Sequence, residues 1–106
     1  MTPKEITPAE AAELVKDGAR LIDIREAAER QGGIIPGAGY APLSALDRTA
    51  LGAEPGQTMI FHCRSGGRTA QNAEALKAKA GACDTYLVEG GTEAWRAAGL
   101  PVEVRQ

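Results

Sequence analysis

The sequence predicts an α/β fold built on a mostly parallel sheet, and three observations predict it. Short apolar runs of strand length recur at residues 20–24, 58–63 and 85–90. Stretches of helical character stand between and after them, at 69–80 and 92–99, with another near the start. Gly and Pro fall between these runs as punctuation rather than inside them. Strands alternating with helices imply crossover connections, and those make neighbouring strands parallel. In such a sheet a functional site lies beyond the carboxyl ends of the strands.

Each element has its own local reason. Thr7 is an N-cap whose hydroxyl can accept an orphan helix N–H, and Pro8 takes the first helical position, where a missing N–H costs nothing. Leu14 and Val15 are the apolar face of this first helix and Gly18 closes it. "RLIDI" at 20–24 reads as a short buried strand, followed by a helical turn through "EAAERQ" at 26–31 and a break at Gly32-Gly33. "SALDRTAL" at 44–51 reads as a short helix ended near Gly52. The turn at Pro55-Gly56 leads into "TMIFHC", 58–63, the strongest strand of the chain. Residues 69–80 are predicted helical, with Ala73, Leu76 and Ala80 on one face and Gly81 as the stop. "TYLVEG" at 85–90 is a further strand, and "TEAWRAAG" at 92–99 a last helix ended by Gly99 and Pro101, with Trp95 in the core. No repeat or linker interrupts the 106 residues, so residues 1–106 are read as one domain.

Composition excludes several classes. With 12 basic and 14 acidic residues the net charge is −2, so the chain lacks the basic footprint of a nucleic-acid binder. "MTPKEIT" at the start has no apolar segment behind it of the kind a signal peptide needs, and no apolar run approaches the roughly 18 residues of a membrane helix. A cytoplasmic domain with no membrane contact of its own is the expectation. Its two cysteines, Cys63 and Cys83, are too few for a disulfide scaffold and are expected as free thiols. One His and two Cys at unrelated spacings do not make a metal site, and neither a metal nor a cofactor is expected.

Cys63 is the chemical centre of the sequence. It ends an apolar strand, and Arg64, Ser65, Gly66, Gly67 and Arg68 follow before a helix begins at Thr69. A strand–loop–helix junction with two glycines can curl so that backbone N–H groups converge as an anion-binding nest. The two arginines add positive charge, and both features favour thiolate over thiol. Cys63 is therefore the candidate nucleophile, and Arg64 to Thr69 the candidate anion-binding loop. His62 is its strand neighbour and points to the opposite face, so it is read as a structural or hydrogen-bonding residue rather than a general base. Cys83 has no positive charge beside it in the sequence and is read as packing. Asp23 and Arg25 lie on a buried strand and are read as an ion network supporting the site, with Asp23 helping to hold the loop. Glu89-Gly90-Gly91 is read as a turn forming one wall of the pocket.

"HCRSGGRT" at 62–69 resembles the active-site loop of rhodanese-type sulfurtransferases. "LIDIREAAE" (21–29) is similar to that family's Asp-x-Arg strand followed by a Glu. "GIIPGA" (33–38) and "LVEGGTEAWRAAGLPV" (87–102) are similar to two further segments. The resemblance covers nearly the whole chain and is greatest to the rhodanese heads of small bacterial inner-membrane sulfurtransferases. Two membrane helices follow those heads, and none follows in this sequence; the chain is read as a stand-alone domain or as a head without its anchor. One departure is Ile34, where the family usually carries His.

The resemblance implies a three-layer domain with a five-stranded, mainly parallel sheet flanked by helices. It also implies ping-pong transfer: Cys63 takes sulfur from thiosulfate or a persulfide and passes it to a thiol or to cyanide. Two other readings use the same residues. Cys-dependent phosphatases and arsenate reductases resemble rhodaneses in fold but place five residues between Cys and Arg. Here four residues, Arg64 to Gly67, separate Cys63 from Arg68, which favours a lone sulfur over a tetrahedral oxyanion. A sulfur- or redox-sensing binding module is the third reading.

Overall fold

A computed structural model describes residues 3–104; Met1 and Thr2 of the "MTPKEIT" segment, with Arg105 and Gln106, lie outside the described residues. Five strands, β1 (Lys4–Ile6), β2 (Arg20–Asp23), β3 (Gly39–Tyr40), β4 (Thr58–His62) and β5 (Asp84–Val88), form a sheet of order β1-β5-β4-β2-β3. Every neighbouring pair is parallel. The α-helices are α1 (Pro8–Lys16), α2 (Gly67–Gln71), α3 (Ala73–Ala80) and α4 (Gly91–Ala97), and two 3-10 segments span Ala27–Gly32 and Leu43–Arg48.

The sheet is the middle of three layers because its strands alternate between two apolar faces. Ile22, Met59, Phe61 and Leu87 face one core with Leu76 of α3 and Leu43 of the second 3-10 segment. Leu21, Ile60 and Val88 face the other with Ala11 of α1 and Trp95 of α4. Strand β4, the strongest strand by sequence, is paired on both sides and buried from Met59 to His62, at the centre of the sheet. Among the described residues no helix is long and apolar enough to cross a membrane.

Several boundaries differ from the sequence reading, each for a local reason. Strands β1 and β3 were not predicted; they are three and two residues long, too short to show a period. Thr7 caps α1 as expected, and its hydroxyl accepts from the Glu10 N–H at 3.1 Å while the Glu10 carboxylate accepts from the Thr7 N–H at 3.0 Å. Val15, however, is exposed at 38%, and the buried face of α1 belongs to Ala11 with Leu14 beside it. The turn at 26–31 and the helix expected at 44–51 are both 3-10, the second shifted to Leu43–Arg48 and kinked at Ala45. The helix expected over 69–80 starts earlier, at Gly67, and is broken at Asn72. The Asn72 side chain donates to the Arg68 carbonyl at 2.8 Å, the local competition with helix geometry that makes Asn a poor interior residue.

Candidate active site

Cys63 is the first residue after β4, at the carboxyl end of the sheet, and is buried at 1% exposure. Gly66 adopts φ 94, a left-handed conformation open to a residue without Cβ, and this turns the loop back on the thiol. The Gly66 N–H then donates to Cys63 Sγ at 3.1 Å. Thr69 Oγ1 lies 3.8 Å from Sγ, and its hydroxyl donates to the Gly66 carbonyl at 3.0 Å, closing the loop on itself. Burial alone would push the Cys63 thiol up. The N–H groups of Thr69 and Gly66, the Thr69 hydroxyl and the Arg68 N–H outweigh it and hold the thiol below its ordinary value.

The arginines do something other than expected. Arg64 is turned outward and its Nε donates to Glu93 at 3.2 Å on the exposed surface. Arg68 makes a two-pronged pair with the Glu29 carboxylate, one arm at 2.7 Å. The Glu29 pair, with a smaller attraction from Cys63, raises the Arg68 pKa. The converging groups on Sγ are therefore mainly backbone N–H groups, and the two guanidiniums act as tethers of the loop.

Asp23 and Arg25 form the expected ion network. Both oxygens of Asp23 accept from the Arg25 guanidinium, at 3.0–3.2 Å, and Oδ1 also accepts the Arg25 backbone N–H at 2.9 Å. Arg30 Nε adds a contact to Asp23 at 3.6 Å. Arg25 continues to the carbonyls of Gly33 at 2.8 Å and Glu29 at 3.4 Å. Asp23 makes no hydrogen bond to the Cys63 loop. Its influence reaches the loop through Arg25 and then Glu29, whose carboxylate holds Arg68. Glu29 was quoted in the sequence but given no role. Its carboxyl is pulled down to about 2, chiefly by the Arg68 hydrogen bonds.

The wall beneath the loop is the start of α4. The Cys63 carbonyl accepts the Thr92 N–H at 2.8 Å and the Thr92 hydroxyl at 3.0 Å, and the Arg64 carbonyl accepts the Glu93 N–H at 3.0 Å. Gly91 has φ 60 and lies so close that a Cβ there would collide with the carbonyls of Cys63 and Arg64. Gly90 and Gly91 thus belong to the wall, while Glu89 is exposed and its N–H bonds Ile6 of β1. Thr92 and Glu93 were missed in the sequence, where nothing marks a Thr at a helix start as a partner of a carbonyl 29 residues away.

His62 is fully buried and bonds through Nδ1, 3.0 Å from Thr92 Oγ1 and 3.4 Å from the Cys63 carbonyl, in agreement with a hydrogen-bonding role. Cys83 precedes β5 at the opposite end of the sheet; its thiol is buried and donates to the Glu54 carbonyl at 3.4 Å. A positive charge does stand near it, since Lys77 Nζ donates to the Cys83 carbonyl at 2.8 Å, although that contact is to the backbone. Trp95 packs in the core and donates to the Pro101 carbonyl at 2.8 Å. Ile34 is buried and pairs with Glu103 through two 2.8 Å backbone bonds. A cleft of about 330 Å³ opens beside the loop between Arg25, Glu29, Arg64, Thr92, Glu93 and Arg96.

Residues 7–98 match the family described as rhodanese-like domain. Thiosulfate sulfurtransferase GlpE of Pseudomonas putida is 36% identical over 104 residues, 97% of this chain and 93% of that protein. An uncharacterized protein of Synechocystis is 36% identical over 86 residues, 81% of this chain; the match spans about half, 48%, of that relative. The crystal structure of a rhodanese-related protein from Thermoplasma volcanium superposes with a TM-score of 0.81 at 27% identity, covering 96% of this chain and 99% of that one.

Proposed function

The chain belongs to the rhodanese-like domain family, and from that premise we propose that it is a sulfurtransferase that carries sulfane sulfur on Cys63. The observation that carries the reading is the Gly66 N–H on Cys63 Sγ at 3.1 Å, inside a loop with four residues between Cys63 and Arg68. Such a ring of donors fits a single anionic sulfur. In the first half-reaction the Cys63 thiolate attacks the outer sulfur of thiosulfate or of a persulfide. A new S–S bond forms to Cys63, and the donor's own S–S bond breaks, its electron pair leaving with sulfite or the donor thiol. In the second half, a thiolate or cyanide attacks the outer sulfur and Cys63 leaves as thiolate. Splitting the transfer into two displacements is the use of a covalent intermediate. Donors fixed before the reaction stabilise the anionic sulfur in both halves.

The cleft between Arg64, Thr92, Glu93 and Arg96 supplies a route for a small acceptor to the rim of the loop. On this reading residues 1–106 are one cytoplasmic domain, with neither nucleic acid nor membrane as a partner of this segment. Asp23 and Arg25 support the site at a distance. The test is intact mass after incubation with thiosulfate. The native chain should gain one sulfur atom, Cys63→Ser none, and Cys83→Ser as much as the native chain. Hydrolysis of aryl phosphates without sulfur uptake would replace this reading with the phosphatase one.

A further inference from the structure

Between them, Thr92 and Glu93 hold the carbonyls of Cys63 and Arg64 on the first turn of α4. In a trans peptide the C=O and N–H point in opposite directions, and no cis peptide is present among the described residues. Holding these two carbonyls on α4 therefore fixes the planes of the first two peptides of the loop, those that carry the N–H groups of Arg64 and Ser65. The next peptide, between Ser65 and Gly66, carries the N–H that reaches Sγ, and it is joined directly to this fixed pair. The Cys63 carbonyl is thus the anchor at the start of the loop, and Gly66 at its turn returns an N–H to the thiol.

Thr92 holds that carbonyl twice, with its N–H and its hydroxyl. A hydroxyl has one proton to give and lone pairs to receive. With its proton on the Cys63 carbonyl, Oγ1 of Thr92 is left to accept, and the group within reach is His62 Nδ1 at 3.0 Å. His62 then carries its proton on Nδ1. The opposite tautomer would draw the hydroxyl proton away from Cys63 and bury an Nε2–H with nothing to accept it. Either way His62 Nε2 is a buried polar atom with no partner, a loss of free energy that an apolar side chain would avoid. What the imidazole offers, and an apolar side chain does not, is the Nδ1 edge.

The charged groups around the ring do not use the other edge. Asp23 stands opposite His62 in the β2–β4 register, but both its oxygens are taken by Arg25 and one also by Arg30. Burial holds the ring neutral, with its pKa down to about 4. We propose that His62 is a positioning residue for the nucleophile: its Nδ1–H fixes the Thr92 hydroxyl on the Cys63 carbonyl and so anchors the start of the loop whose Gly66 N–H returns to Sγ.

The inference rests on Cys63 being the reactive thiol, and the test separates the two claims. His62→Asn keeps an amide group where Nδ1 stood, whereas His62→Gln moves it to the unused Nε2 position. Thr92→Ser keeps the hydroxyl, and Thr92→Val keeps the shape without it. The readouts are the pH profile of Cys63 alkylation by iodoacetamide, followed by peptide mass, and kcat for sulfur transfer from thiosulfate to cyanide. In His62→Gln and Thr92→Val the profile should move up by about one pH unit and kcat should fall about tenfold or more, as for a misplaced donor. His62→Asn and Thr92→Ser should restore most of both, and the Gln/Val double variant should be no worse than either single one, because both act along one path. Should the His62 variants fail to fold, the Thr92 pair alone decides. A Gln variant with the native profile, an Asn variant as impaired as Gln, or a Val variant equal to Ser would overturn the positioning role. A native Cys63 that titrates as an ordinary thiol would overturn the sulfurtransferase reading as well.

Discussion

At the scale of single residues, the acidity of Cys63 is a contest between burial and a few donors. Burial raises the thiol, and the Thr69, Gly66 and Arg68 N–H groups lower it by more. Those donors are useful only while the loop keeps its shape, and Glu29 is the side chain that ties the far end of the loop to the segment after β2. The same carboxylate also accepts the Glu26 N–H at 2.9 Å, so it is held in place from its own side. Glu29→Gln should therefore weaken two interactions together. The expected loss is about 1–2 kcal/mol of stability, because breaking a half-buried charged pair leaves Arg68 to find water. Sulfur transfer should fall with it, and urea unfolding beside the thiosulfate–cyanide assay measures both. If stability dropped while transfer stayed native, the Glu29 tether would be a scaffold contact only.

At the scale of elements, the site is a strand end, a curled loop and two short helices held in register by contacts between backbones. Gly91 is the tightest of these. Its positive φ suits glycine, and a Cβ would press on the carbonyls that Thr92 and Glu93 hold. Gly91→Ala should destabilise the chain by about 2–4 kcal/mol through combined strain and steric overlap. Denaturant midpoints and the rate of Cys63 alkylation should both drop, whereas Gly81→Ala, where a Cβ would meet nothing, should pay only for its φ of 70. The thiol and its loop were legible in the sequence because they are local: an apolar strand, a Cys, two glycines and a helix follow one another without a gap. Asp23 and Arg25 were legible for the same reason, being two residues apart. Glu29 and Thr92 were not, because their partners Arg68 and His62 lie 39 and 30 residues away and come close only when the sheet forms. Edge strands β1 and β3 were illegible on another ground. "KEI" and "GY" have no period of their own and become strands by pairing with β5 and β2.

At the scale of the whole molecule, the same buried groups set how the fold responds to acid. His62 is the single histidine of the chain, and burial puts its folded pKa at about 4, below the 6.5 of a free imidazole side chain. When the chain unfolds the ring meets water and binds a proton more readily than in the fold. Between pH 6.5 and pH 4 the unfolded state therefore takes up a proton that the folded state refuses, and stability falls as pH falls. Above pH 6.5 both states are neutral and the contribution is whole; below pH 4 both are charged and the loss is complete, at about 3 kcal/mol. Glu29 acts lower down. Its folded pKa of about 2 lies below the 4.5 of a free glutamate side chain, so its contribution is present above pH 4.5 and is lost between there and pH 2. Two separate losses are expected in a series of urea midpoints, an upper one from the ring and a lower one from the carboxylate. His62→Asn has no group that titrates near pH 5 at that position, so it should be less stable at pH 7, where it lacks the ring's packing, yet nearly flat from pH 6.5 to pH 4.5. Glu29→Gln should do the reverse, keeping the upper loss and reducing the lower. A native chain equally stable at pH 7 and pH 5 would mean that the ring binds its proton as easily inside the fold as outside, and the unpartnered Nε2 would then have found an acceptor.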